Sequence, residues 1–273
     1  MTGRKKLISR TVFYVALAAV LLGFVFPFFW MIFGSLKPGV ILQRMPPDWL
    51  YPPTLTNYRN VFVQTEFLFR TFNSLVLATS AVIAGMVLGL PAAHAIGRFG
   101  RHKLGFIILM VRMIPGISFL VPWFIIYRML GILDSYLGII ASHVVLTLPL
   151  IIWIMIGFFE DVPLEIEEAA IIDGCSKWQS FLRVALPLTR AGIAAAFILA
   201  FIFSWNHFLF ALILSGPRTF TLPVTVFEFM TYEEIDFGGI YAAATLITAP
   251  IIALVLIIQN HFVEGLTMGG LKG

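Results

Sequence analysis

The sequence predicts an all-α integral membrane protein with six transmembrane helices, and three observations predict it. Of its 273 residues 60% are hydrophobic and only 12% charged, with a mean hydropathy of +0.97, a composition that soluble domains do not reach. Six apolar runs, about residues 11–36, 71–97, 104–127, 135–159, 191–217 and 237–263, are each long enough to cross a hydrocarbon core, which takes roughly 20 residues of helix. One long polar stretch, residues 160–187, separates the fourth run from the fifth. Residues 1–273 read as a single transmembrane domain.

Taken in order, the first run follows Arg4, Lys5, Lys6 and Arg10, a basic flank like that of a signal peptide. The apolar stretch is too long for one and no small-residue cleavage site follows it, so it is expected to stay as the first span. Segment 37–70 contains Met45-Pro46-Pro47-Asp48-Trp49 and Tyr51-Pro52-Pro53, which favour extended, proline-stiffened chain. Trp49, Tyr51 and Tyr58 suit a membrane interface. Pro115 and Pro122 predict a kinked third span. With the N-terminus inside, cytoplasmic segments hold eleven Lys and Arg and outer segments six, as the positive-inside rule requires. Both termini and the 160–187 stretch then fall on the cytoplasmic side. The formal charge of +4 follows from that bias and implies no nucleic-acid partner. The single cysteine, Cys175, cannot form an internal disulfide.

The 160–187 stretch carries the densest local signals. Asp161 and Pro163 mark a helix start, and Glu165, Glu167 and Glu168 fill its first turns, where negative charge suits the helix dipole. Asp173-Gly174 ends that helix, and Ser176-Lys177-Trp178-Gln179 reads as a capping box opening a second. Trp178, Phe181, Leu182 and Ala185 fall at i, i+3, i+4 and i+7 and give it one apolar face. Leu186-Pro187 is expected to stop it. Two short helices around a glycine corner make a protrusion that a partner can grip.

Glu168-Ala169-Ala170, three residues, Gly174, nine residues, Val184, one residue and Leu186-Pro187 resemble the EAA loop of ABC importer permeases, which docks on ATP-hydrolysing subunits. Val184 stands where isoleucine is commoner, and Ala191 where a proline often follows. The candidate coupling residues are therefore Glu168, Ala169, Ala170, Asp173, Gly174, Trp178, Phe181, Leu186 and Pro187. Ser35-Leu36-Lys37, Asn57-Tyr58, Asn73-Ser74, Gly131-Ile132-Leu133-Asp134-Ser135 and Gly265-Leu266-Thr267 are similar to fragments of the maltose-type, carbohydrate-uptake permeases. His94 departs from that pattern, where tyrosine is more usual.

The resemblance implies the permease subunit of a binding-protein-dependent importer in a bacterial cytoplasmic membrane, passing a sugar, oligosaccharide or glycoside. A polyol, glycerol phosphate or peptide stays open as cargo. It implies as partners two ATP-binding cassette subunits, a second and different permease chain, an extracytoplasmic substrate-binding protein and the lipid bilayer. The chain has no G-x-x-x-x-G-K-[ST] loop to cradle phosphates, no zinc-ligand spacing and no catalytic elbow. It is expected to be no enzyme by itself and to bind no cofactor or metal, with ATP and magnesium held by the partner subunits. A stand-alone secondary transporter is the reading from another class. It calls for ion-coupling carboxylates within the spans, and no Asp or Glu lies in any of the six runs.

Polar groups within apolar runs are functional candidates because burying them in lipid is costly. Arg112 precedes Met113-Ile114-Pro115 in the third run. It either snorkels to the cytoplasmic surface or pairs with a neighbouring helix, or it lines a solute pathway. Trp205, Asn206 and His207, in the middle of the fifth run, either lock helices together or face that pathway. His143 reads as a packed, hydrogen-bonded histidine, and Asn73 as interfacial. Residues 218–236 contain Thr221-Leu222-Pro223 and end with Glu233, Glu234 and Asp236. They form either an ordinary outer loop or, as the resemblance implies, one that reaches the binding protein.

Overall fold

A computed structural model describes residues 3–42, 46, 48–230 and 235–269. The expectations for Met45, Pro47, Glu233, Glu234 and the terminal 270–273 lie outside the described residues. Regular structure among the described residues is helical, apart from one isolated bridge between Met230 and Ile235, and the chain divides into two compact units.

The first unit comprises residues 1–67 and 225–249. Helix α1 (Gly3–Ser35) includes an apolar stretch, Arg10–Ser35, in which no residue is buried within the chain before Gly34 and Ser35. Short α2 (Gly39–Leu42) and α3 (Thr56–Gln64) follow. The end of α1 is fixed by polar contacts from α3. Asn57 is buried and donates to the carbonyls of Ser35 at 2.8 Å and Lys37 at 2.7 Å, satisfying groups that a helix C-terminus leaves open. The Ser35 and Tyr58 hydroxyls meet at 2.7 Å. Lys37 is buried too. Its ammonium donates to the Asp48 carbonyl at 2.8 Å and sits over the rings of Trp30, Phe33, Trp49 and Tyr51, a cation–π cage that anchors the proline-rich segment.

The second unit comprises residues 68–224 and 250–273. Helix α4 (Phe67–Arg98) is one continuous apolar helix. The third run differs from expectation: it forms two helices, α5 (His102–Val111) and α6 (Ile117–Leu130). Pro115 lacks an N–H and disfavours helix at the residue before it, so the chain breaks there. Pro122 is absorbed inside α6. Helix α7 (Tyr136–Glu160) is continuous, with Ser135 capping its start by accepting from the Gly138 amide. Then come α8 (Leu164–Ile172), α9 (Lys177–Ser180), a π-helical turn over Phe181–Ala185, and α10 (Leu186–Leu188). Pro187 therefore does not stop the second loop helix as expected. The wide π turn precedes it, the chain runs on to Leu188, and the axis bends by 78° into α11 (Arg190–Trp205). The fifth run is broken again before α12 (Leu209–Leu214). A short turn α13 (Leu222–Thr225) and a 3-10 turn over Val226–Phe229 lead to α14 (Phe237–Gly269).

Small residues let the helices of this second unit approach closely, as is usual where lipid gives no hydrophobic drive. A methyl group on Gly192 of α11 would collide with the Phe158 ring of α7, and one on Gly105 of α5 would sit 2.6 Å from Ile156. Leu77, Leu120, Tyr127, Ile139, Phe210 and Leu214 form a buried core. Among the described residues, four helical stretches are long and apolar enough to cross a membrane: Arg10–Ser35, Phe67–Arg98, Tyr136–Glu160 and Phe237–Ile257. The bent pair Lys177–Leu188 and Arg190–Trp205 makes up to one more.

Candidate functional site

The 160–187 stretch folds into two helices around a glycine corner, for local reasons. Pro163 occupies the N-cap of α8 with no side-chain cap, while Asp161 lies at the C-cap of α7. Of the expected start signals only the proline acts. At the other end, Gly174 has φ +93°. Its amide donates to the Ile171 carbonyl at 3.0 Å and the Cys175 amide to the Ala170 carbonyl at 3.0 Å. This is a Schellman closure, in which a left-handed residue returns two amides to the last turn. The capping box is complete: the Gln179 amide donates to Ser176 Oγ at 3.2 Å, and the Ser176 amide to Gln179 Oε1 at 2.8 Å.

What holds this corner against the rest of its unit was not legible in the sequence. Glu167, not Glu168, is the buried carboxylate, only 6% exposed. It pairs with Arg98 through both Nε, at 2.9 Å, and Nη2, and with His94 Nε2 at 2.9 Å. Arg98 Nη1 also donates to the Val162 carbonyl at 2.9 Å. The end of α4 therefore grips the start of α8. His94, the departure from the family pattern, was the one signal that could have pointed there. Phe181 is buried against His94 and Phe159, so the expected apolar face divides. Phe181 and Ala185 turn inward, and Trp178 and Leu182 stay exposed at 57% and 43%. Glu168, Ala169, Asp173, Gly174 and Pro187 are exposed, while Ala170 and Leu186 are half-buried. Ile172, unnoticed in the sequence, is 85% exposed. A groove of about 400 Å³ runs between Ile83, Met86 and Leu90 of α4 and Trp178, Leu182 and Leu186.

A second feature lies at the α5–α6 break. A cavity of about 270 Å³ is lined by Arg112, Phe119, Trp123, His143, Ser204, His207 and Phe210 among others. The Arg112 guanidinium stacks over Phe203, 4.2 Å from the ring centroid. His143 is fully buried and its Nδ1 lies 2.8 Å from Ser204 Oγ. His143 Nε2 and His207 Nδ1 have no hydrogen-bond partner among the described residues. The structure thus brings Arg112 and His207 together and adds His143. It leaves out Trp205, which is buried and stacked on Phe201, and Asn206, which is exposed and donates to the Ile202 carbonyl of its own helix at 3.0 Å.

Two polar clusters fix the connection after α12. Asp134, with φ 51°, accepts from the Gly216 amide at 2.9 Å and the Thr219 hydroxyl at 2.7 Å. Partial burial acts against the charged form, but these bonds and those from Arg218 outweigh it and hold the carboxyl below its ordinary range. Asn73 is fully buried within the chain. It donates to the carbonyls of Arg218 and Phe220 and accepts from the Tyr136 hydroxyl.

Residues 85–267 match the family described as binding-protein-dependent transport system inner membrane component. The chain is 35% identical to the trehalose transport system permease protein SugB of Mycobacterium tuberculosis, over 97% of this chain and 98% of that one. It is 34% identical to the sulfoquinovosyl glycerol transport system permease protein SmoH of Agrobacterium fabrum, over 95% and 93%. A solved bacterial ABC transporter involved in import of the acidic polysaccharide alginate has the same fold, with a TM-score of 0.77 at 22% identity over 96% of this chain and 99% of that one. With its helical membrane architecture and a family match over two thirds of its length, this chain belongs to the inner-membrane permease components of binding-protein-dependent ABC transporters.

Proposed function

We propose that the chain is one of two permease subunits of a sugar importer and that its 160–187 loop transmits ATP-driven motion to the solute pathway. The observation that carries the reading is the division of that loop. Its rear, Glu167 and Phe181, is locked to α4 and α7, while Glu168, Ile172, Trp178 and Leu182 face outward. A lever needs both a rigid attachment and a free contact surface. Two cytoplasmic ATP-binding cassette subunits, with their ATP and magnesium, would take that surface. One chain has one such loop and an ATPase dimer offers two clefts, which calls for a second permease. An extracytoplasmic binding protein would deliver the solute. Names of relatives such as trehalose and sulfoquinovosyl glycerol permeases support a sugar or glycoside as cargo.

In this reading residues 1–273 act as one transmembrane domain of six spans, with α5 and α6 serving together as a broken third. Broken helices are tolerated where they line a cavity. Both termini and the loop would be cytoplasmic. The test is reconstitution in proteoliposomes with and without the partner subunits. Uptake should require all of them and ATP, and the purified chain alone should hydrolyse none. Ion-gradient-driven flux through the chain alone would overturn the reading in favour of a secondary transporter.

A further inference from the structure

We infer that the cavity at the α5–α6 break receives the anionic group of an acidic sugar, with Arg112 as its counter-charge. The inference rests on the importer reading and deepens it by naming the class of solute this chain handles. Arg112 is the starting point. Its guanidinium carbon lies over the Phe203 ring, 4.2 Å from the centroid, and its N–H donors have no hydrogen-bond or ion-pair partner among the described residues. A positive charge in an apolar span ordinarily has a carboxylate or carbonyl close by. Here no Asp or Glu occurs in any of the six apolar runs, and none lines the cavity. A stacked guanidinium still presents its forked edge, the geometry that matches a carboxylate or another oxyanion in two parallel hydrogen bonds.

Two further groups on the cavity point to a ligand. His143 and His207 both line it, their ring centroids 5.4 Å apart, and each keeps one buried nitrogen unpartnered. Buried polar atoms are ordinarily satisfied; both nitrogens lie just beneath the cavity wall with almost no exposed surface, so a small rotation of either ring would turn an unsatisfied nitrogen toward a hydrogen-bonding group in the cavity. Hydroxyls hydrogen-bond with either histidine tautomer. The remaining wall is aromatic: half-buried Trp123, held 5.1 Å from the buried Phe210 ring, offers an apolar face against which the C–H side of a pyranose can rest. About 270 Å³ is near the lower end of ligand pockets, roughly 300–1,000 Å³, and suits one sugar ring at a time. A neutral sugar would use the imidazoles and the rings but leave the guanidinium unpaired. An amino sugar would be repelled.

Equilibrium binding of radiolabelled D-glucuronate and D-glucose to the full-length chain in lipid nanodiscs tests this. The wild-type chain should bind glucuronate at least tenfold more tightly than glucose. Arg112→Gln should remove that preference while keeping glucose binding, which also shows that the variant is folded. Arg112→Lys should keep part of the preference. Equal binding of both sugars, or of neither, by the wild-type chain overturns the inference, as does an unchanged preference in Arg112→Gln. ATP-dependent uptake in the reconstituted transporter is read separately. Uptake without glucuronate preference removes only this inference, whereas flux independent of ATP removes the importer reading itself.

Discussion

Valine at Gly174 should uncouple the transporter without removing it from the membrane. The backbone there has φ +93°, and a Cβ built on it meets no atom within 4 Å. The cost is therefore purely local: about 1–2 kcal/mol for an L-residue in the left-handed region, and up to about 3 kcal/mol when a strained position must be held by its surroundings. Since about 1.4 kcal/mol is a factor of ten in a population, the native corner should lose roughly five- to 150-fold against realigned ones. The substitution touches no membrane-spanning packing, so insertion should be normal. Gly100 provides a matched control, with φ +60° and the same open surroundings in the connection between α4 and α5. Gly100→Val carries similar strain away from the proposed lever, and Gly174→Asn should be milder because asparagine tolerates this region. Co-purification of the ATPase and ATP-driven uptake should both fall in Gly174→Val and hold in Gly100→Val, at equal membrane abundance. Wild-type coupling in Gly174→Val would mean the corner is only a linker, and the lever reasoning would fail.

Three other expectations follow from the same geometry. Glu167→Ala leaves the half-buried Arg98 and His94 without their carboxylate partner, at a cost of about 3 kcal/mol, the lower end for a buried pair, and should speed amide hydrogen exchange across 164–180, whereas exposed Glu168→Ala should leave exchange there unchanged; equal exchange in both variants would refute the clamp. The Asp134 carboxyl is held below its ordinary value of 3.8, so its contribution is fully present above the unfolded pKa and lost as pH falls through the lower folded one. Asp134→Asn should therefore lower thermal stability at neutral pH, with the difference from wild type shrinking in acid; a difference that grows in acid would contradict the assignment. Finally, His207→Ala should impair uptake more than Asn206→Ala, since only His207 lines the cavity, and the reverse order would move the pathway elsewhere.

The legible and the illegible parts of this protein separate by the range of the interaction. Membrane class, helical fold and the helix–glycine–helix shape of residues 164–188 depend on composition, on Gly174 and on the Ser176–Gln179 box, where cause and effect lie within a few residues. A proline effect is less legible: Pro115 breaks a helix and Pro122 does not, because neighbouring packing decides whether a missing amide bond is tolerated.

By itself the sequence determined that the chain spans membranes and that a two-helix corner interrupts its apolar runs, since hydrophobicity, capping and left-handed glycine are properties of local chain. Only the tertiary structure decided which glutamate is buried, because the partners of Glu167 lie 69 and 73 residues away and its neighbour Glu168 has the same charge and helix propensity. It likewise decided that Phe181 faces inward while Trp178 faces out, and that Arg112, His143 and His207, from distant parts of the sequence, share one cavity. Burial and the satisfaction of polar groups depend on what other helices bring, and that is fixed only when the helices pack.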